Sequence, residues 1–322
     1  MASRVRAPRA TALALTAPGP EPDEAARPVG AWRRLLKDPA AMAGAVVALL
    51  FILLAVFAPA ICAINGVDPY TYHVDLLDGS GVPVGRFGGA SAAHWFGVEP
   101  LTGRDLFAIV AYGARTSLPI GVGATALSVT IGVAMGTVSG YLGGLVDMLL
   151  SRFTDLMIAF PSLIFMIALS ALVPPSFPKP VFMVLIIGLF SWPSMARVTR
   201  GQTLSFRNRS FVMAARAIGS RSGTVLATQI LPNIAPTIIV IATMGIPGAI
   251  TAEAALSFLG IGIAPPTPSW GRAIASAVAW IRVDPWFLLA PGLALFLVTL
   301  AFNLFGDGLR DVLDPKLAKR AS

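Results

Sequence analysis

The chain has 322 residues, 56% of them hydrophobic and only 12% charged, with a mean hydropathy of +0.77. Soluble domains carry about 25% charged residues, so half that density over this length excludes a disordered chain and argues against a soluble enzyme. The net charge of +8, from 24 Lys and Arg against 16 Asp and Glu, would suit nucleic acid only if it clustered on a soluble basic face, which the apolar content opposes.

Residues 1–31, rich in Ala, Pro and Arg, read as a disordered tail, and the apolar run 10–17 is too short for a secretory signal. Region 32–64 opens with Trp32-Arg33-Arg34-Leu35-Leu36-Lys37, a basic, amphipathic approach to a first membrane span. About 20 uncharged residues cross the hydrocarbon of a bilayer. Stretches 39–67, 116–146, 156–178, 180–196 and 285–306 qualify directly, and 222–252 qualifies despite Pro232, Pro236 and Pro247. Stretch 254–271 is also uncharged, but Pro265, Pro266 and Pro268 predict a loop or re-entrant turn. The predicted fold class is an all-α integral membrane protein with six transmembrane helices. It divides into a long loop at 65–104, a five-helix core at 105–306 and a tail at 307–322.

Six spans put both termini and the 2–3 and 4–5 connections on one side. That side holds 18 positive and nine negative residues, or +9, while the other holds six and seven, or −1. The positive-inside rule then places both termini in the cytoplasm and the 65–104 loop outside. This loop carries His73 and His94 with Asp68, Asp75 and Asp78. Two histidines so far apart are poor grounds for a metal site, and the residues read as solvated surface. Cys62, the only cysteine, reads as a small packing residue and excludes a disulfide framework.

No GxSxG, HExxH, GxGD or GxxxxGK[ST] motif occurs, so hydrolytic chemistry and a phosphate cradle lack their usual residues. The second span carries Ala124, Ser128, Gly132, Gly136 and Gly140 at four-residue spacing, one continuous small-residue stripe. Such a stripe admits a close helix neighbour, either within the chain or from another subunit. In the fifth span, prolines such as Pro247 free backbone groups, which suits either simple kinks or a helix lining a water-filled path. Glu253 and Phe258, toward its outer end, are candidate pathway or gating residues, because an ionisable group at that depth is costly. Asp155 and Arg152 lie near the inner end of the third span.

The loop at 207–224 is the most informative segment. Ser210 can cap a short helix beginning at Phe211, and Gly219 can end it in a left-handed conformation. Ala214 and Ala215 give this helix a smooth patch, ringed by Arg207, Arg209, Arg216 and Arg221. Read locally, it remains an ordinary basic loop between two spans.

Ala214-Ala215-Arg216-Ala217-x-Gly219, followed by Ile230-Leu231-Pro232-Asn233, resembles the EAA loop of ABC-importer permeases. Further stretches fit the peptide-importer branch in the same order: Thr102-Gly103-Arg104-Asp105, Tyr112-Gly113-Ala114-Arg115-Thr116-Ser117-Leu118, Ala159-Phe160-Pro161-Ser162, Glu253 through Gly260, Pro265 through Gly271, and Phe302 through Asp311. The last two are typical of the C-type permease subunit of dipeptide, oligopeptide and nickel importers.

The resemblance implies a type I ABC importer permease fold in the bacterial inner membrane. It implies a heterodimer with a homologous second permease, two cytoplasmic ATPase subunits and an extracytoplasmic substrate-binding protein. No cofactor is implied on this chain, since ATP and Mg are used by the partner subunits. Ser210, Met213, Ala214, Ala215, Arg216, Gly219, Leu231 and Pro232 then belong to a cytoplasmic coupling helix and its flank, docked on an ATPase. Met213 stands where the family has an acid, which with Ser210 as cap would complete a capping box. The Gly97 to Gly103 stretch also departs from the shorter turn of many relatives. A self-sufficient ion-coupled carrier is the alternative; it predicts repeated halves and a midplane carboxylate, for which Glu253 is a weak candidate.

Overall fold

The computed structural model describes residues 35–174 and 176–313; the 1–31 tail and the end of the 307–322 tail lie outside these. Helix α1 (Pro39–Ile64) starts where Asp38 accepts hydrogen bonds from the Ala40 and Ala41 N–H groups at 2.9 and 3.3 Å. Pro39 fills a first-turn position that needs no N–H. The helix buries Ala41, Gly44, Ala48, Ala55, Ala58 and Cys62 and exposes Leu49, Leu50, Val56 and Phe57. Small side chains inward and large ones outward suit a helix whose surroundings are lipid, where packing rather than water exclusion drives association.

Helix α2 (Leu106–Leu142) has 37 residues and begins ten positions before the predicted span, because Asp105 caps it by accepting from the Ala108 N–H at 2.7 Å. At 1.5 Å per residue it is about 55 Å long, well beyond the hydrocarbon thickness. It ends at Gly143, whose φ of +69° reverses the chain.

The predicted third span at 156–178 is not one helix. Helices α3 (Gly144–Ala159) and α4 (Ser162–Ser170) meet at an 80° bend. Pro161 explains the break: it lacks an N–H and forces Phe160 into an extended conformation, with φ −78° and ψ 135°. Helix α5 (Lys179–Phe206) then returns alongside α2. A Cβ added at Gly132, Gly136 or Gly140 would strike Met195, Thr199 and Thr203 respectively, and one added at Gly188 would strike Leu127 and the Ala124 carbonyl. Both series of numbers rise together, so α2 and α5 are parallel. The chain must cross back between them, and the bent pair makes that crossing. The small-residue stripe is therefore a seam within the chain.

Helix α6 (Ser210–Ala217), the turn α7 (Ser222–Val225) and a wide helical turn (Leu226–Ile230) lead into α8 (Leu231–Phe258). Contacts of Ser117 with Glu253 and Gly121 with Ile250 set α8 antiparallel to α2. After α8, stretch 259–269 is a loop, and Ser269 caps α9 (Trp270–Ala277). Trp270 is fully buried and donates from its indole N–H to the Val110 carbonyl at 3.0 Å. Helix α10 (Pro285–Leu313) runs antiparallel to α1, with Gly44 against Ala301 and Gly308 against Ala41. It continues seven residues beyond the expected start of the C-terminal tail. Among the described residues five helices are long and apolar enough to cross a bilayer, and the bent pair taken as one span makes six. Alternation along the chain puts the start of α1, the α5–α8 connection and the end of α10 at one end of the bundle.

The 65–104 loop occupies the opposite end and is more ordered than a solvated surface. His94 is buried, and its Nδ1 lies 2.8 Å from the Asp105 Oδ2. The His73 ring packs edge-on against it, with centroids 4.9 Å apart. Asp105 thus ties the loop to α2 while capping that helix. In the Gly97 to Gly103 stretch, Glu99 accepts from Thr102 Oγ1 and from Arg104 Nε, and Leu101 takes a positive φ of 68°. Trp286 donates to the Phe96 carbonyl at 2.9 Å, fixing the loop to the start of α10.

Candidate functional site

The α6 region is built from its termini inward. Arg209, extended at φ −71° and ψ 152°, is the residue preceding the helix, and Ser210 is its first helical residue. Among the described residues no side chain caps this end. The predicted Ser210 cap is thereby corrected, and with it the capping-box argument: Met213 sits one position too far along to reach back to the cap. Met213 is instead 54% exposed on the outer face.

The other terminus matches the sequence reading. Gly219 has a φ of +83°; its N–H donates to the Arg216 carbonyl at 2.9 Å, and the Ser220 N–H donates to the Ala215 carbonyl at 3.1 Å. These paired bonds form a Schellman closure, which needs a left-handed residue at the position of Gly219. Beyond α7 the chain widens by one residue per turn over Leu226–Ile230, where the Leu231 N–H reaches the Leu226 carbonyl. Pro232 follows directly, contributing no N–H to the next turn.

One face of this hairpin is fastened. Val212, Val225, Ile230 and Ile234 are buried together with Tyr141 from the end of α2, and Ala215 packs partly buried against them. Arg216 places its guanidinium carbon 4.5 Å from the Tyr141 ring centroid, and its Nε donates to the Tyr141 hydroxyl at 3.2 Å. Arg207 donates to the Gly140 carbonyl at 3.1 Å. Two of the arginines ringing the loop therefore clamp it to α2. The opposite face is bare: Phe211, Met213, Ala214 and Ile218 are exposed, Ile218 at 84%. The predicted pair of alanines separates accordingly, Ala214 outward and Ala215 toward the core. Leu231 is half-buried and Pro232 exposed at the flank.

Sequence reasoning missed the polar braces behind this hairpin. Arg200 on α5 holds Asp147 on α3 through Nε at 2.5 Å and Nη2 at 2.8 Å, and Ser139 on α2 also donates to that carboxylate. Arg197 pairs with Asp155 at 3.0 Å on the exposed side. Asp147 and Ser151, four residues apart, were the available signal that α3 presents a polar stripe to a neighbour.

The candidate pathway residues do not gather into one site. Pro247 is buried, Phe258 is 45% exposed, and Glu253 is wholly enclosed. Glu253 accepts from Ser117 and Ser257 Oγ, both at 2.7 Å, so it joins α2 to α8 as an internal polar contact. Among the described residues no three His, Cys, Asp or Glu side chains gather as a metal site. In the 65–104 loop, the Thr71 hydroxyl and the Tyr70 and Thr71 N–H groups hold the Asp68 carboxyl below its ordinary range, whereas before α10 burial pushes Asp284 up.

A bundle of apolar helices long enough to cross a bilayer, with a short helix clamped at one end and one of its faces bare, defines a polytopic membrane protein. The family model described as "binding-protein-dependent transport system inner membrane component" matches residues 128–319, and the N-terminal TM domain of oligopeptide transport permease C matches 29–78. The dipeptide transport system permease protein DppC of Alkalihalophilus pseudofirmus is 38% identical over 92% of this chain and 94% of its own length. The oligopeptide transport system permease protein OppC of Haemophilus influenzae is 38% identical over 89% and 88%. A solved chain of the MetNI methionine ABC transporter, in inward-facing conformations, shares the fold with a TM-score of 0.53 at 15% identity, covering 64% of this chain and 96% of that one. The chain belongs to the inner-membrane permease family of binding-protein-dependent ABC importers, with the type I fold.

Proposed function

We propose that this permease forms half of a translocation pathway for short peptides, completed by a homologous second permease. Two ATPase subunits drive it with ATP and Mg, and an extracytoplasmic binding protein delivers the substrate. The end of the bundle that carries α6 and both described chain ends faces the cytoplasm, in keeping with the +9 charge on that side.

The observation that carries this reading is the two-faced α6. Its inner face is fixed to α2 by an apolar cluster and the Arg216–Tyr141 contact, so a push on its bare face is delivered to the bundle rather than absorbed in a loose loop. ATP can shift the permease between states only through contacts that differ between those states, and a rigidly mounted helix supplies such a contact. The names of the relatives support peptides as cargo.

Affinity purification of the tagged chain in mild detergent tests the assembly. The reading expects a second permease and ATPase subunits to co-purify, with peptide uptake into proteoliposomes that stops without ATP. A lone chain that imports peptide without ATP would overturn it.

A further inference from the structure

A cavity of about 550 Å³ opens at the end of the bundle opposite α6, between the starts of α2 and α5, the 65–104 loop and the loop before α9. Its size lies within the roughly 300–1,000 Å³ of small-ligand sites. Tyr70, Tyr112, Thr116, Val181 and Pro268 are among its walls, and Arg115 is the one charged residue lining it among those described. Tyr70 and Tyr112 meet edge-to-face at 6.2 Å and form a stiff aromatic corner beside the arginine.

Arg115 has neither an ion pair nor a side-chain hydrogen bond among the described residues, whereas Arg104, Arg197 and Arg200 each hold a carboxylate. Asp68, whose charge acts on Tyr112 as that of Arg115 does, forms no ion pair with Arg115 among the described residues. Both Asp68 oxygens are engaged in its own turn: Oδ1 accepts from the Tyr70 and Thr71 N–H groups at 2.6 and 2.8 Å, and Oδ2 accepts from the Thr71 hydroxyl at 2.7 Å. Lys179, next in sequence to the lining residue Pro180, lies over the Phe182 ring at 5.8 Å. A guanidinium on a mostly apolar wall, with no acid of its own, presents a planar fork of donors matched to a carboxylate.

We propose that this cavity is an outer subsite for the C-terminal carboxylate of a peptide, with Arg115 as its anion-binding group and the Tyr70–Tyr112 corner beside the adjoining residue. The proposal rests on the peptide-import reading for the identity of the anion, though not for the anion site itself.

The test uses the assembled transporter in proteoliposomes, with Cys62→Ser and a reporter Val181→Cys at the 49%-exposed wall position. The rates at which an anionic and a cationic methanethiosulfonate modify this chain are compared, with alanyl-alanine or its C-terminal amide as protectant. The expected result is a preference for the anionic reagent that Arg115→Gln lowers about tenfold, the scale of one hydrogen bond to a charged group. Arg115→Lys should retain part of that preference, and the free acid should protect where the amide does not. An anionic preference absent from the parent, or unchanged by Arg115→Gln, overturns the site. Equal protection by acid and amide overturns the carboxylate assignment. ATP-dependent uptake of alanyl-alanine by the Arg115-containing transporter is measured in parallel: its absence overturns the peptide reading, and if the anionic preference persists, the anion site stands without it.

Discussion

The α2–α5 seam and the α6 hairpin are both helix contacts, yet they are built on opposite plans. Along the seam, glycines let two backbones approach until Gly136 leaves no room for a Cβ beside Thr199 and the Ala196 carbonyl. The Thr199 hydroxyl also lies 3.1 Å from the Gly132 carbonyl, sharing its one hydrogen between that group across the interface and the Met195 carbonyl of its own helix at 2.9 Å. The α6 hairpin instead rests on a few apolar side chains and two arginines, with most residues of α6 exposed. The first plan makes a strut that keeps its shape. The second makes an attachment that can transmit a push at one face and accept a partner at the other.

The contrast is broken most forcefully at the seam. Gly136→Leu places a branched side chain against backbone that cannot withdraw, and overpacking of this kind costs roughly 1–3 kcal/mol or more. A large fall in the thermal midpoint of the purified transporter in detergent is expected, with poor recovery of folded protein. An unchanged midpoint would mean that α2 and α5 are not in backbone contact. A smaller effect is expected from Arg216→Ala, which removes the contact with Tyr141 and about 0.5–2 kcal/mol of cation–π attraction. The fluorescence anisotropy of a label on α6 should fall, reporting a more mobile helix, while the global midpoint moves little. A midpoint shift as large as that of Gly136→Leu would show that the hairpin belongs to the structural core.

The membrane-spanning stretches, the long loop at 65–104 and the left-handed Gly219 were legible in the sequence, because uncharged length and glycine placement are local signals. The stripe from Ala124 to Gly140 was legible as a close contact, but its partner was not. Only the matching rise of the numbers along α2 and α5 identifies the seam as internal. The third span looked continuous because hydropathy does not register the constraint that Pro161 places on Phe160. Local propensity favoured Ser210 as a cap, whereas the chain leaves Arg209 extended and starts the helix one residue sooner. The His94–Asp105, Glu253–Ser117 and Arg216–Tyr141 contacts were hidden, since each joins residues whose proximity is created by the fold. Glu253 shows this well: depth made it a pathway candidate, and its two serine donors make it an internal tie between α2 and α8.

The most direct measurement is substrate-stimulated ATP hydrolysis by the assembled transporter carrying Ala214→Arg or Gly219→Pro. Ala214 lies on the bare face of α6, so a charged side chain there obstructs a partner without disturbing the cluster beneath. Pro cannot adopt the +83° φ of Gly219 and would undo the closure of the helix. The account predicts that both variants insert in the membrane and lose the stimulation, while basal hydrolysis by the ATPase subunits persists. Full stimulation in both would contradict α6 as the coupling element.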